Sequence, residues 1–324
     1  MKWSEIVKKF NQANFLQSPS YAKMNELLDA KTITEDFGEK GHALMVVRDA
    51  KRGRYLEIPC GPLINWRDDK AVKKAFERIK EIGKNEKCVF VRVRPQLMKS
   101  YENMELLAGL GLKESPMHLA AEHTVMIDLS LSEEELLANM RRQTRYEVRR
   151  AEKLGIKVSC NNSEELFKEF HRVQADTAKR QGFVPPSLKV LLAEREAFGD
   201  NATIYVAETS EGERIAYGLI IKDGREGDYY EAASTLLNRK LPGAYALLWQ
   251  TMRDLKKGGY ERFNLWGIAP PGQPNHRYAG VTTFKTGFGG TIVEYVPAHD
   301  LIISRVGYLK DLVVEKARKK RRHL

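Results

Sequence analysis

Residues 203–234 read TIYVAETSEGERIAYGLIIKDGREGDYYEAAS, and the fold turns on how they are divided. Three apolar runs are separated by SEGE and DGREG, whose glycines and acids are turn formers rather than strand formers. The stretch therefore reads as a meander of three strands. The next run, YALLWQTMRDLKKGGY (245–260), is apolar at helical spacing and ends on a glycine pair; RFNLWGI (262–268) then reads as a strand. A similar series lies upstream. HALMVVRD (42–49) and GRYLEIPC (53–60) read as strands, DDKAVKKAFERIKEIGK (68–84) as an amphipathic helix closing near Gly83, and CVFVRVRP (88–95) as a strand stopped by Pro95. Strand–strand–helix–strand thus occurs twice without sequence identity between the copies, as an architectural repeat.

Between the copies, NMELLAGLGL predicts a short helix and HTVMIDLS a strand. SEEELLANMRRQTRYEVRRAEKLG (132–155) predicts one long helix, opened by a capping serine and three glutamates and closed at Gly155. Its middle holds five arginines in ten residues: Arg141, Arg142, Arg145, Arg149 and Arg150. Such a run is either a solvated face or a grip on a polyanion. The expected organisation is a first domain over 1–140, with a C-terminal helix (301–324) packing back on it, and a second over 141–300.

A chain of 324 residues has room for about two cores. With 42% apolar and 30% charged residues it has an ordinary globular composition. No apolar run reaches the ~18 residues of a spanning helix, and the N-terminus lacks the apolar core of a signal peptide, so the expected location is cytoplasmic. Cys60, Cys88 and Cys160 are odd in number and widely spaced, and read as reduced packing residues. His118 and His123 come with no third ligand, so no metal is expected. The net charge of +11 favours polyanionic partners. It culminates in KARKKRRHL (316–324), six of nine residues basic, which reads as a solvated tail or as an attraction to RNA or an anionic membrane face.

A small sheet, a helix and a parallel strand resemble the fold of the GCN5-type N-acetyltransferases. The class is α+β, with two tandem acetyltransferase-like (GNAT-like) domains of mixed sheets flanked by helices. That family grips acetyl-CoA with a loop of the form Arg/Gln-x-x-Gly-x-Gly/Ala. Here the matching run is Lys240-Leu-Pro-Gly243-Ala-Tyr245, and the ring of Tyr245 crowds the position of a phosphate. No cofactor is expected.

Two such degenerate halves, together with YLEIPCGPLINW (55–66), MRRQTRYEVRRAEKLGIKV (140–158), TAKRQGFVPP (177–186), YYEAAS (229–234), YALLWQTM (245–252), WGIAPP (266–271) and GVTTFKTGFGG (280–290), resemble the Fem family. The resemblance covers roughly residues 15–300. Fem proteins are aminoacyl-tRNA-dependent transferases that build peptidoglycan cross-bridges. The staphylococcal branch inserts a coiled-coil arm into the second domain; no pair of heptad helices appears between 155 and 300 here, so the chain resembles the compact, arm-less form.

The resemblance implies two partners, aminoacyl-tRNA and a UDP-linked or lipid-linked muramyl-pentapeptide. The charge of the basic tail adds the expectation of peripheral membrane contact, and a monomer is expected. The resemblance places Phe284 and Lys285 beside the acceptor end of the tRNA and Lys23, in YAKMN, on the precursor diphosphate. Tyr229 and Tyr230 fall along the substrate cleft, with Glu231 beside them. Where smaller members carry an Arg-Phe-Asp-Pro-like strand end, this chain has Arg92-Val93-Arg94-Pro95, which brings Arg94 to the substrate side.

The implied reaction is attack of a stem-peptide amine on the ester that links an amino acid to tRNA. An activated ester needs neither ATP nor metal, only positioning, proton removal and oxyanion stabilisation. Lys285 suits the last task, Phe284 suits stacking on the terminal adenine, and the glycines after them would let backbone approach a bulky substrate end. Glu231 is the foremost acid for the proton, and substrate assistance, with water or the ribose hydroxyl relaying it, is equally compatible. Two other readings stand beside this one: an acyl-CoA-dependent N-acyltransferase on the same double fold, and a non-catalytic RNA- or membrane-binding protein.

Overall fold

A computed structural model describes Trp3, residues 9–50 and residues 53–322. The side chains of 316–322 and all of His323 and Leu324, hence the side chains of the basic tail, lie outside the described residues. The first unit begins with α1 (Pro19–Leu27), β1 (Thr32–Asp36), β2 (Gly41–Ala50), β3 (Gly53–Pro59) and β4 (Leu63–Ile64). It continues through α2 (Asp69–Asn85), β5 (Phe90–Arg94), α3 (Tyr101–Gly109) and β6 (Leu112–Glu114). The second unit contains β7 (His123–Asp128), α4 (Glu133–Asn139), α5 (Arg142–Lys153), β8 (Lys157–Asn161), α6 (Glu164–Gln181), α7 (Leu188–Phe198) and β9 (Ala202–Glu208). After these come β10 (Arg214–Asp223), β11 (Glu226–Ser234), α8 (Gly243–Lys257), β12 (Arg262–Gly267), α9 (Ala279–Thr286) and β13 (Thr291–Glu294). The chain then returns to the first unit with β14 (His299–Ile302) and α10 (Arg305–Arg322).

Each unit holds one mixed sheet, ordered β1-β2-β3-β5-β14-β6, with β4 on β2, in the first and β13-β7-β12-β11-β10-β9-β8 in the second. In both, an antiparallel meander leads into one parallel pair, β3 with β5 and β11 with β12. A crossover helix, α2 or α8, joins the two strands, as parallel pairing requires. This is the repeat expected from the sequence.

Three sequence expectations need correction. The units divide at 122/123 and 293/294, not at 140/141 and 300/301. The reason is pairing: β7 hydrogen-bonds antiparallel to β12 over Asp128–Arg262 to Met126–Asn264, so the segment before the arginine-rich helix is built into the second sheet. Secondly, α2 runs past Gly83 to Asn85. Gly83 is buried, and a Cβ there would lie 2.5 Å from Ile303 and 3.0 Å from Val91, so the glycine serves close helix-to-sheet packing.

The third correction is that 132–155 is two helices. Met140 and Arg141 are extended (ψ 146° and 144°). Met140 is drawn into the core of the second unit, and the Arg141 amide donates to the Gly287 carbonyl at 2.8 Å. The carbonyls orphaned at the end of α4 are recovered by Arg145, whose Nη1 donates to Leu137 (3.3 Å), Ala138 (2.8 Å) and Met140.

In the first unit the last helix is anchored by ions. Arg92 on β5 makes a two-pronged contact with Asp300 on β14 (2.7 and 2.9 Å) and another with Glu315 of α10 (3.0 and 2.8 Å). Their exposures are only 4, 0 and 6%. The Tyr308 hydroxyl donates to Asp300 at 3.0 Å. Arg92→Ala leaves two buried carboxylates without their cation and should lower unfolding free energy by about 3–5 kcal/mol, measured by urea denaturation.

Candidate functional site

Strands β11 and β12 are in register only from Glu226–Arg262 to Asp228–Asn264. Beyond that point β11 carries a bulge, with Ile220 opposite Tyr229 and Leu219 opposite Glu231. The register of β12 with β7 also shifts between Asn264 and Gly267, and Trp266 takes φ +60°. The local turn is held by Asn264, whose Oδ1 accepts from the Trp266 amide (2.9 Å), and by Thr124, whose hydroxyl donates to the Trp266 carbonyl (3.1 Å). This geometry leaves the Gly267 carbonyl to accept 2.9 Å from Lys285 Nζ.

Lys285 lies in the last turn of helix α9. It is 8% exposed, and its Nζ is 5.7 Å from the ring centre of Tyr229. Burial pulls its pKa down to about 7. The lysine is thus poised between ammonium and amine near neutrality.

Phe284 packs edge-on against Tyr245 (centroids 5.1 Å) and Phe288 (5.3 Å), while Tyr245 stacks on Phe288. Phe284 and Tyr245 also line a cavity of about 430 Å³ in the second unit, together with Gln181, Phe183, Asn238, Arg277 and Tyr278. Asn238 Oδ1 accepts from the Ala244 amide at 2.9 Å. A side chain therefore occupies an amide at the N-terminus of α8, the helix end that grips a phosphate in acetyltransferases.

Gly280 has open space at its Cβ position and lines this cavity, whereas Gly287, Gly289 and Gly290 do not open the backbone to a ligand as expected. A Cβ at Gly287 would lie 2.4 Å from Thr144 Oγ1, one at Gly289 2.7 Å from the Asn139 carbonyl oxygen, and one at Gly290 2.5 Å from that of Met126. Gly289 and Gly290 are also left-handed (φ +84° and +83°). These residues pass close to their own protein.

The other predicted residues separate into groups. Tyr229 is buried toward α8: the Gly218 Cβ position meets both its ring and Leu247. Tyr230 meets Trp266 edge-on at 5.4 Å. Glu231 turns instead to α6, accepting from the Gln174 side chain, and burial raises its pKa to about 7. Glu194 of α7, 3% exposed, is pushed well above the usual carboxylate range by burial and by Glu231. Neither Gln174 nor Glu194 carried a sequence signal, because each is one polar residue in an amphipathic helix.

Lys23 and Arg94 belong to the first unit. Lys23 is exposed on α1. Arg94 is buried, contacting Cys60 and Gln96 and lying 5.1 Å from the Tyr295 ring centre, so its guanidinium is part of that unit's interior. Among the arginines, Arg145 caps α4, Arg141 Nη2 donates to the Thr283 carbonyl (2.6 Å), and Arg150 bridges Glu147 and the Lys240 carbonyl. Arg142 and Arg149 are exposed.

The comparisons with known proteins converge. The model of the FemAB family matches residues 2–108, 107–216 and 208–316. Aminoacyltransferase FemA of Staphylococcus aureus is 19% identical over 330 aligned residues, covering 75% of this chain and 78% of that one. Among solved structures, the crystal structure of FemX superposes with a TM-score of 0.85 at 17% identity, covering 97% of both chains. A tandem GNAT protein from the clavulanic acid biosynthesis pathway reaches 0.52 at 10% identity, covering 84% of this chain and 83% of that one. The fold is thus the tandem α+β arrangement expected.

The depressed pKa of Lys285 has a thermodynamic signature. Between about pH 7 and 10.5 the unfolded chain holds a proton that the folded chain does not, so this residue makes stability rise with pH across that window. Its burial penalty is fully present below about pH 7. In urea denaturation, Lys285→Met should be more stable than the parent near neutrality, the gap closing as pH approaches 10.5.

Proposed function

Since the chain belongs to the FemAB family and is an acyltransferase by that membership, we propose that it moves an amino acid from aminoacyl-tRNA to the side-chain amine of the stem peptide of a peptidoglycan precursor. The observation that carries this reading is Lys285, a buried lysine on a backbone carbonyl, next in sequence to an aromatic residue that lines a cavity. The acceptor is UDP-linked or lipid-linked, and the setting is the cytoplasm, where charged tRNA is made. One copy of the chain suffices.

In this reading the terminal adenosine of the tRNA enters the cavity and meets Phe284 and Tyr245, with Arg277 at the phosphate. Base–aromatic contact contributes about 1–3 kcal/mol. An arriving phosphate or a developing oxyanion favours the charged form of Lys285, reversing the effect of burial. The ammonium then stabilises the tetrahedral intermediate in a dry site, where the interaction is strong. The acceptor amine forms the new C–N bond, the ester C–O bond breaks, and the ribose oxygen leaves carrying a proton. Glu231, raised to about 7, is an acid of suitable strength to pass that proton. It faces α6 rather than Tyr229, so a water or the ribose hydroxyl would complete the relay. Lys23 and the exposed Arg142 and Arg149 are assigned to the two polyanions, precursor diphosphate and tRNA. Arg94 is assigned an indirect part, holding the interior of the first unit beneath its substrate surface.

Tyr245 and Asn238 weigh against the acyl-CoA reading, since ring and amide acceptor stand where a pyrophosphate loop would be open. Calorimetric titration with CoA should give no binding heat.

The direct test incubates the full chain with charged tRNAs and each precursor form, and weighs the product by mass spectrometry. One aminoacyl increment is expected. Lys285→Ala should slow transfer about 10²–10³-fold, and Phe284→Ala should weaken tRNA use by about 5–100-fold. No mass increment with any charged tRNA on either precursor would overturn the proposal.

A further inference from the structure

Helix α10 carries two stripes on opposite sides. Tyr308, Asp311 and Glu315 recur at i, i+3 and i+7 and are 5, 4 and 6% exposed, and Tyr308 and Glu315 join the Arg92–Asp300 network of the first unit. Val306, Leu309 and Val313 recur at the same spacing and are 70, 60 and 69% exposed. At 3.6 residues per turn the two stripes point about 160° apart. Single exposed aliphatic residues are common, but three aligned on one helix face, with Val314 at their edge, form an apolar strip with no cover among the described residues.

The charge around the strip says what covers it. Arg305 and Lys310 are exposed beside it. The helical backbone runs on through Arg322, and the sequence there is Lys316-Ala-Arg-Lys-Lys-Arg-Arg322, six of seven residues basic. Nucleic acid would satisfy the cations and leave the aliphatic strip in water. An anionic bilayer surface satisfies both, taking the strip into the acyl boundary and the cations among the headgroups.

We propose that α10 docks this protein in the plane of an anionic lipid surface, with Val306, Leu309 and Val313 inserted and the basic run lying against the headgroups. The buried ion network holds the opposite stripe to the first unit, so docking requires no part of α10 to detach. Among the described residues no helix is long and apolar enough to cross a membrane; attachment is in-plane. This inference stands apart from the transferase reading, and its experiment uses no substrate.

The test is flotation of the full chain with vesicles of phosphatidylcholine, with and without phosphatidylglycerol. The protein should float with the anionic vesicles and far less with the zwitterionic ones. The triple variant Val306→Gln, Leu309→Gln, Val313→Gln keeps every charge, and should bind at least about tenfold more weakly. Its melting temperature should match the parent, because the replaced side chains touch mostly solvent. Equal binding of variant and parent would mean that charge alone acts, and would overturn the proposal. So would a parent that ignores both vesicle types, whether or not it retains tRNA.

Discussion

After Asp228 and Asn264 the strands β11 and β12 no longer pair, and the groups freed by their separation are the ones the site is built from. Two parallel strands that part leave backbone groups which must find other partners. On β12, Thr124 and Asn264 satisfy the Trp266 peptide, and the Gly267 carbonyl takes the ammonium of Lys285. On β11, the bulge lets Tyr229 pack toward α8 and Glu231 turn to α6. Burial then acts in opposite directions on the two titratable groups, lowering the lysine and raising the acid, so that both come to about 7. One departure from regular sheet structure thus produces a lysine and a carboxylate near neutrality.

The positive charge of the chain is divided between structure and surface. Arg92, Arg94, Arg141, Arg145 and Arg150 are engaged in buried pairs, interior contacts, helix capping or bridging carbonyls. A guanidinium suits this work because several donors in a fixed plane can satisfy several acceptors at once. Lys23, Arg142 and Arg149 remain exposed. The net +11 therefore overstates the count of cations available to a polyanion, and five arginines within 141–150 are not a single binding face. Arg145 in particular repairs the break between α4 and α5.

Much of the architecture was legible because it depends on period and punctuation. TIYVAETSEGERIAYGLIIKDGREGDYYEAAS divides at its glycine turns into β9, β10 and β11, and the apolar spacing of α2 and α8 fixes their inward faces. What escaped the sequence was set by distant partners. Met140 is a good helix residue, yet it is extended because the core draws its side chain in and Gly287 takes the next amide. Gly83 looks like a helix stop, yet lies inside the helix because Ile303 and Val91 leave no room for a side chain.

The site divides in the same way. Phe284 and Lys285 stand out in the sequence as residue types in a motif, and Tyr245 stands out as the wrong residue for a phosphate loop. Sequence determined these identities, the repeated strand–helix–strand order and the basic balance, since each is a property of residues read in line. Tertiary structure alone decided that Lys285 is buried on a carbonyl, that Arg94 faces inward, that Gln174 and Glu194 surround Glu231, and that α10 keeps an apolar stripe outside. Burial depends on which segments meet across the fold, and the energy of a charge depends on burial far more than on its neighbours in sequence.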